Sequence, residues 1–156
     1  MNNKNIIVGV DFSQSSLNAM RHAVSLALKT GADIHLVWVK TPGVTKNADG
    51  DDEYIHKCQA NLEEWKDMCR MESPETEVNT VILEGKVHVE LPKYANNFSN
   101  PIIVMGTHGS SGFEEGYIGN NANRLIKDSK VPILIMRENI EIKRDLHNIY
   151  APIDLS

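Results

Sequence analysis

The sequence predicts an α/β domain: a doubly wound, five-stranded parallel sheet with helices on both faces. Three observations lead there. Apolar runs of strand length alternate with amphipathic segments of helix length, five times along the chain. The runs are nearly continuous in Val, Ile and Leu, as strands covered on both faces require. At 156 residues the chain is long enough for a single well-buried core.

The first run, "NIIVGVDFS" (Asn5 to Ser13), opens as a buried parallel strand. In "SSLNAMRHAVSLALKTG" the residues Leu17, Met20, Val24 and Ala27 keep helical spacing; Ser15 or Ser16 can cap the start and Gly31 supplies the stop. "DIHLVWVK" (Asp33 to Lys40) is the second strand. "TPGVTKNADGDDEY" (Thr41 to Tyr54) is polar and rich in Gly, Asn and Asp, so a mobile loop is expected. Its carboxylates Asp49, Asp51 and Asp52 lack the later ligands and closing Glu of a calcium loop, which makes this a solvated segment.

Ile55, Cys58, Leu62, Trp65 and Cys69 alternate steps of three and four on a second helix. On that helix the two cysteines share a face but stand roughly 16 Å apart, too far for a disulfide. Two buried thiols are expected. "EVNTVILEG" (Glu77 to Gly85) is the third strand. A third helix carries Val87, Leu91, Tyr94 and Phe98 on one face, with Pro92 marking its first turns or a kink. "PIIVMG" and "VPILIM" are the fourth and fifth strands, separated by a glycine-rich loop and a helix from about Asn120 to Asp128.

Composition excludes several classes of partner. Net charge is −5, the pI is near 5.6, and Lys and Arg are scattered, so nothing draws the chain to nucleic acid or an anionic membrane. No apolar stretch approaches the roughly 20 residues of a membrane span, and the start lacks a signal-peptide core. A cytoplasmic protein is expected. The sequon Asn97-Phe98-Ser99 carries no weight without a secretion signal. His22, His35, His56, His88 and His147 lack metal-ligand spacing, so surface or hydrogen-bonded positions are expected. Trp38 and Trp65 read as core or core edge.

The chemistry concentrates in "MGTHGSSGFEEGYIGNNANRLI", Met105 to Ile126, with five glycines ahead of a helix. In a sheet of order 3-2-1-4-5, strands one and four meet at the switch point, where ligands bind beyond the strands' carboxyl ends. Asp11 and Gly106 then face one crevice. Glycines let a ligand approach the main chain, and helix N–H groups favour a phosphate without any basic side chain. No GxGxxG follows the first strand and no Walker Gly-Lys-Ser/Thr occurs. Asp11 and Ser13 form a helix-capping turn as readily as a catalytic pair, and no nucleophile elbow is present.

Gly106-x2-Gly109-x9-Gly119, the Val-Asp-x-Ser turn after strand one, "IVMGTHG" at strand four and "VPILI" at strand five occur in order. Over about residues 4–138 the chain thereby resembles the universal stress protein family. The resemblance implies a Rossmann-like domain over residues 1–138 that binds ATP or a related adenine nucleotide, alone or with Mg²⁺. The implied nucleotide-binding set is Val10, Asp11, Ser13, Val39, Met105, Gly106, His108, Gly109, Gly119, Asn120 and Asn121. Asp11 and Val39 would lie by the adenosine. Gly106, His108 and Gly109 would follow the ribose and phosphates, with the phosphate tail at Gly119 and Asn120.

The chain departs from the family pattern in two places. Asn120 stands where many nucleotide-binding members have Ser or Thr, and Glu114 and Glu115 sit inside the loop. Asn keeps the backbone N–H, and the glutamates are expected to face solvent. The resemblance also implies a homodimer, or a tandem partner domain, docked on the edge strand Val131 to Met136. No committed enzyme is expected; slow ATP hydrolysis is the upper limit. The alternative is a nucleotide-free dimerising scaffold of the same fold.

Residues 139–148 read as a linker. "NIYAPIDLS", the last nine residues, repeats Asn, Ile, Asp and Ser of "NIIVGVDFS" in place. Residues 149–156 are therefore expected to be the first strand of a truncated second repeat.

Overall fold

The computed structural model describes residues 4–42, 48–107 and 119–137. The expected linker, the repeat-like tail, His108, Gly109, Glu114 and Glu115 lie outside these residues. The elements alternate without exception: β1 (Asn5–Val10), α1 (Gln14–Thr30), β2 (Asp33–Lys40), α2 (Ala48–Glu72), β3 (Val78–Glu84), α3 (Val87–Ala95), β4 (Pro101–Gly106), α4 (Asn120–Asp128) and β5 (Ile133–Met136). All strand pairs are parallel, in the order β3-β2-β1-β4-β5. The doubly wound expectation holds, with β1 central between β2 and β4.

Each sheet face carries its own core, as the period of two along a strand requires. Ile6, Val8 and Val10 of β1 and Ile34, Leu36 and Trp38 of β2 pack with α1 and α2 on one face. Ile7, Val37, Val39, Ile103 and Met105 pack with Leu91 and Ala95 of α3 and Ala122 and Leu125 of α4 on the other. Trp38 is buried and Trp65 packs against the first core, as their sequence context suggested. Cys58 and Cys69 are both buried free thiols. Burial pushes the Cys69 thiol up to about 12, helped by the nearby Glu72 charge, so it is unreactive at neutral pH.

Several local expectations need correction. The segment expected to be loop through Tyr54 is helical from Ala48 onward. Tyr54 on it packs its ring edge-on to Trp38, with centroids 5.8 Å apart. The cap of α1 is Ser13, not Ser15 or Ser16: its Oγ accepts from the Ser16 N–H at 3.2 Å. Phe98 lies beyond the end of α3 yet still packs against the second core, while Pro92 falls in the helix's second turn. β5 begins at Ile133, because Ser129 Oγ bonds both the N–H and C=O of Val131 and holds that residue in a turn. His88 is neither fully exposed nor satisfied; its buried Nδ1 has no partner among the described residues.

Candidate functional site

The carboxyl ends of β1, β2 and β4 open into a cavity of about 340 Å³. That volume lies at the small end of ligand sites, roughly 300–1,000 Å³. Two glycines and a turn shape its floor. Gly9 in β1 leaves room for Leu91, since a Cβ there would stand 3.0 Å from Leu91 Cδ1. Gly106, ending β4, lies against Ser15 of α1; a Cβ would stand 2.8 Å from the Ser15 carbonyl carbon and closer still to its Oγ. Only a residue without a side chain lets α1 and β4 come this near.

The turn between β1 and α1 places the one carboxylate among the described lining residues. Asp11 Oδ1 accepts from the Ser13 N–H at 3.0 Å and from the Ser13 hydroxyl. The Asp11 N–H reaches Ser16 Oγ at 3.4 Å, and Ser16 Oγ donates to the Ser13 carbonyl at 3.1 Å. These bonds hold Asp11 at the cavity mouth with its carboxylate exposed. Between them Phe12 adopts φ 62°, a left-handed conformation that a bulky side chain rarely takes. Its ring is held edge-on to Trp65 of α2, with centroids 5.5 Å apart.

The far wall is the start of α4. Gly119 is its N-cap and has no side-chain hydrogen bond. The Gly119 N–H donates to the Thr107 carbonyl at 2.6 Å, which ties together the two ends of the glycine-rich segment. The Thr107 N–H in turn donates to Met136 of β5 at 2.8 Å. The first bond inside the helix runs from the Asn123 N–H to the Gly119 carbonyl at 2.9 Å. The N–H groups of Asn120, Asn121 and Ala122 thus head the helix without an intrahelical acceptor, and all three residues line the cavity. Such a helix start suits an anion.

Of the residues singled out in the sequence, Val10, Asp11, Val39, Met105, Gly106, Gly119, Asn120 and Asn121 are brought together around this one cavity. Ser13 does not line it; the side chain is occupied in capping α1 and orienting Asp11. His108 and Gly109 fall outside the described residues. Sequence reading missed Val37, Thr41, Val87, Leu91 and Thr107 in the wall. Val87 and Leu91 were legible only as an apolar helix face, and nothing in their spacing distinguishes core from pocket. Among the described residues no three His, Cys, Asp or Glu side chains cluster to hold a metal ion. No helix among them is long and apolar enough to cross a membrane.

Comparison with known proteins follows the same outline. The model of the universal stress protein family matches residues 2–137. A universal stress protein of Methanocaldococcus jannaschii is 31% identical over 142 residues, spanning 86% of this chain and 82% of its own. Among solved structures, the universal stress protein from Archaeoglobus fulgidus in complex with dAMP superposes with a TM-score of 0.68 at 22% identity, over 87% of this chain and 99% of that one. A universal stress protein in complex with cAMP gives 0.67 at 21% identity, over 89% and 100%. At these identities the two structures match in fold.

Proposed function

The chain belongs to the universal stress protein family, and from that premise we propose that its crevice binds an adenine nucleotide and that the protein acts as a nucleotide-dependent regulatory module. The observation that carries this reading is the single cavity that joins Asp11, Val39 and Gly106 to the uncapped start of α4. In this reading the adenine rests on the apolar wall of Val37, Val39, Leu91 and Met105. Asp11 accepts from the ribose hydroxyls, and the phosphates meet the N–H groups of Asn120 and Asn121. The family motif assigns His108 and Gly109 to the phosphates as well. ATP is the nucleotide that the family resemblance suggests, with Mg²⁺ as its counterion. Relatives of the same fold were solved with the monophosphates dAMP and cAMP.

The test is extraction followed by titration. Heat-denatured protein should release an adenine nucleotide identifiable by chromatography, and the emptied protein should rebind it with micromolar affinity in a calorimeter. Gly109→Val should abolish that binding and leave the thermal unfolding profile in place. An empty extract together with a flat titration would leave the nucleotide-free scaffold as the reading.

A specific observation supports dimerisation. Among the described residues β5 is an edge strand paired with β4 alone, and Leu134 on it and Ile126 on α4 are exposed. An edge with apolar side chains invites pairing with a second copy. Light scattering should report a dimer, and Leu134→Lys should shift it to monomer.

A further inference from the structure

We propose that Ser13, a residue outside the cavity wall, makes the crevice prefer a ribonucleotide to its 2′-deoxy counterpart by holding the Asp11 carboxylate in place. The inference rests on the adenine-nucleotide reading and adds to it a choice of sugar and the residue that imposes that choice. Three observations carry it.

The order of the strands sets the order of the ligand's parts. Asp11 follows β1, and β1 lies between β2 and β4 in the sheet. The apolar wall of Val37 and Val39 belongs to β2. The start of α4 is tied to the end of β4, where the Gly119 N–H bonds the Thr107 carbonyl. A nucleotide with its base on the β2 wall and its phosphate at α4 places its sugar over the end of β1. Among the described lining residues Asp11 has the single ionisable side chain there. An ionised carboxylate only accepts hydrogen bonds, so it takes hydroxyl groups and repels phosphate.

The second observation is which carboxylate oxygen is already engaged. Asp11 Oδ1 accepts from the Ser13 N–H at 3.0 Å and from the Ser13 hydroxyl, which uses both of its lone pairs. Among the described residues nothing donates to Oδ2. Oδ2 keeps two lone pairs at the cavity mouth, one for each hydroxyl of the ribose diol. A 2′-deoxyribose fills one and leaves the other to water.

The third observation is how Ser13 itself is held. Its one hydroxyl proton goes to Asp11, while its oxygen accepts from the Ser16 N–H at 3.2 Å. The buried Ser15 hydroxyl lies 3.1 Å from the same oxygen. The first turn of α1 thus fixes the Ser13 hydroxyl, and that hydroxyl fixes Oδ1. With Oδ1 bonded twice, the carboxylate cannot rotate without breaking two bonds, and Oδ2 stays presented to the sugar. Without the hydroxyl, one N–H remains and the two oxygens can exchange places.

The experiment is calorimetric titration of nucleotide-free protein with two pairs of ligands, AMP and 2′-dAMP, then ATP and 2′-dATP. Within a pair the base and phosphates are identical, so the affinity ratio reports the sugar alone. Each ribonucleotide should bind about tenfold more tightly than its deoxy partner, the value of one hydrogen bond to a charged group. Ser13→Ala should reduce the ratio to about threefold or less, and Ser13→Thr, which keeps the hydroxyl, should restore it. Loss of the helix cap lowers the Tm of Ser13→Ala and weakens both members of a pair alike, so the ratio separates positioning from capping. Ser13→Gly lacks the hydroxyl too, and helices accept glycine at the N-cap with little loss. It should show the same reduced ratio in a more stable protein. Equal affinities within each pair in the unmodified chain would overturn the inference and leave the adenine-nucleotide reading standing. A ratio unchanged in both Ser13→Ala and Ser13→Gly would overturn the role of Ser13. If none of the four nucleotides binds, the adenine-nucleotide reading itself falls and takes this inference with it.

Discussion

At the carboxyl end of the strands the chain surrounds an opening: Gly9 and Gly106 leave space, Asp11 is exposed, and the start of α4 is uncapped. At the amino end the same face of the sheet is closed by polar groups that satisfy one another. His35 is buried, with Nδ1 3.0 Å from the Tyr94 hydroxyl and Nε2 3.3 Å from Asn5 Oδ1. Asn5 Nδ2 donates to the Ser99 carbonyl at 3.2 Å, which fixes that amide and makes Nε2 the protonated nitrogen of His35. Phe98 packs its ring against His35, tilted by 49° with centroids 4.4 Å apart. Polar groups are left available around the crevice and are paired off at the closed end. The comparison teaches where substitutions will change function and where they will change only folding.

The largest expected effect is at Gly106. A side chain there must displace the backbone of Ser15, so Gly106→Val should cost about 3 kcal/mol, at the upper end of overpacking. Urea unfolding would measure the loss, and nucleotide titration should show binding gone at temperatures where the variant stays folded. Retained binding would mean that α1 and β4 need not approach closely to form the site.

At the closed end, Tyr94→Phe removes one partner of a part-buried pair and leaves the buried His35 without its Nδ1 hydrogen bond. A cost of about 1–3 kcal/mol follows, with nucleotide affinity unchanged. A parallel loss of affinity would show that the two ends are coupled through α3.

The same cluster makes stability depend on pH. Burial pushes the His35 imidazole below its usual pKa, outweighing the charges of Asp33 and Glu77 that pull it upward. As pH falls below the unfolded value of about 6.5, the unfolded chain takes a proton that the folded chain resists. Stability should therefore decline from about pH 6.5 downward, by at most about 1.4 kcal/mol per pH unit, until the folded imidazole also protonates. Urea midpoints from pH 7.5 to 5 would show the slope, and His35→Gln should flatten it. An unchanged slope in that variant would assign the effect to other groups.

These two ends also differ in how far the sequence disclosed them. Buried apolar runs announced β1, β2 and β4, and Gly106 and Gly119, which line the crevice, stood out as glycines at a strand end and a helix start, because each is a local pattern. The His35 cluster was invisible, since it joins residues 30 and 59 positions apart that no periodicity links. Composition misled at Ala48–Tyr54, where Gly and Asp suggested loop but a long-range contact with Trp38 accompanies a helix. The α3 wall of the site stayed hidden for a related reason: Leu91 looks the same in a core as beside a cavity. What the chain states locally could be read, and what it states only by packing could not.

The smallest effect expected is also the most diagnostic of how the open end is held. Phe12 sits at φ 62° between the residue that faces the crevice and the residue that caps α1. An L-residue pays about 1–2 kcal/mol for this conformation, and glycine does not. Its half-buried ring against Trp65 contributes in the opposite direction, about 0.5–1.5 kcal/mol beyond the area it buries. Phe12→Ala loses the ring and keeps the strain, whereas Phe12→Gly loses both. Glycine normally falls below alanine in stability, by about 0.4–1 kcal/mol, through the greater freedom of the unfolded chain. Here the order should reverse, with Phe12→Gly more stable than Phe12→Ala by about 1 kcal/mol in paired urea titrations. If alanine proves the more stable, the turn is not strained, and the ring contact alone fixes the geometry that presents Asp11.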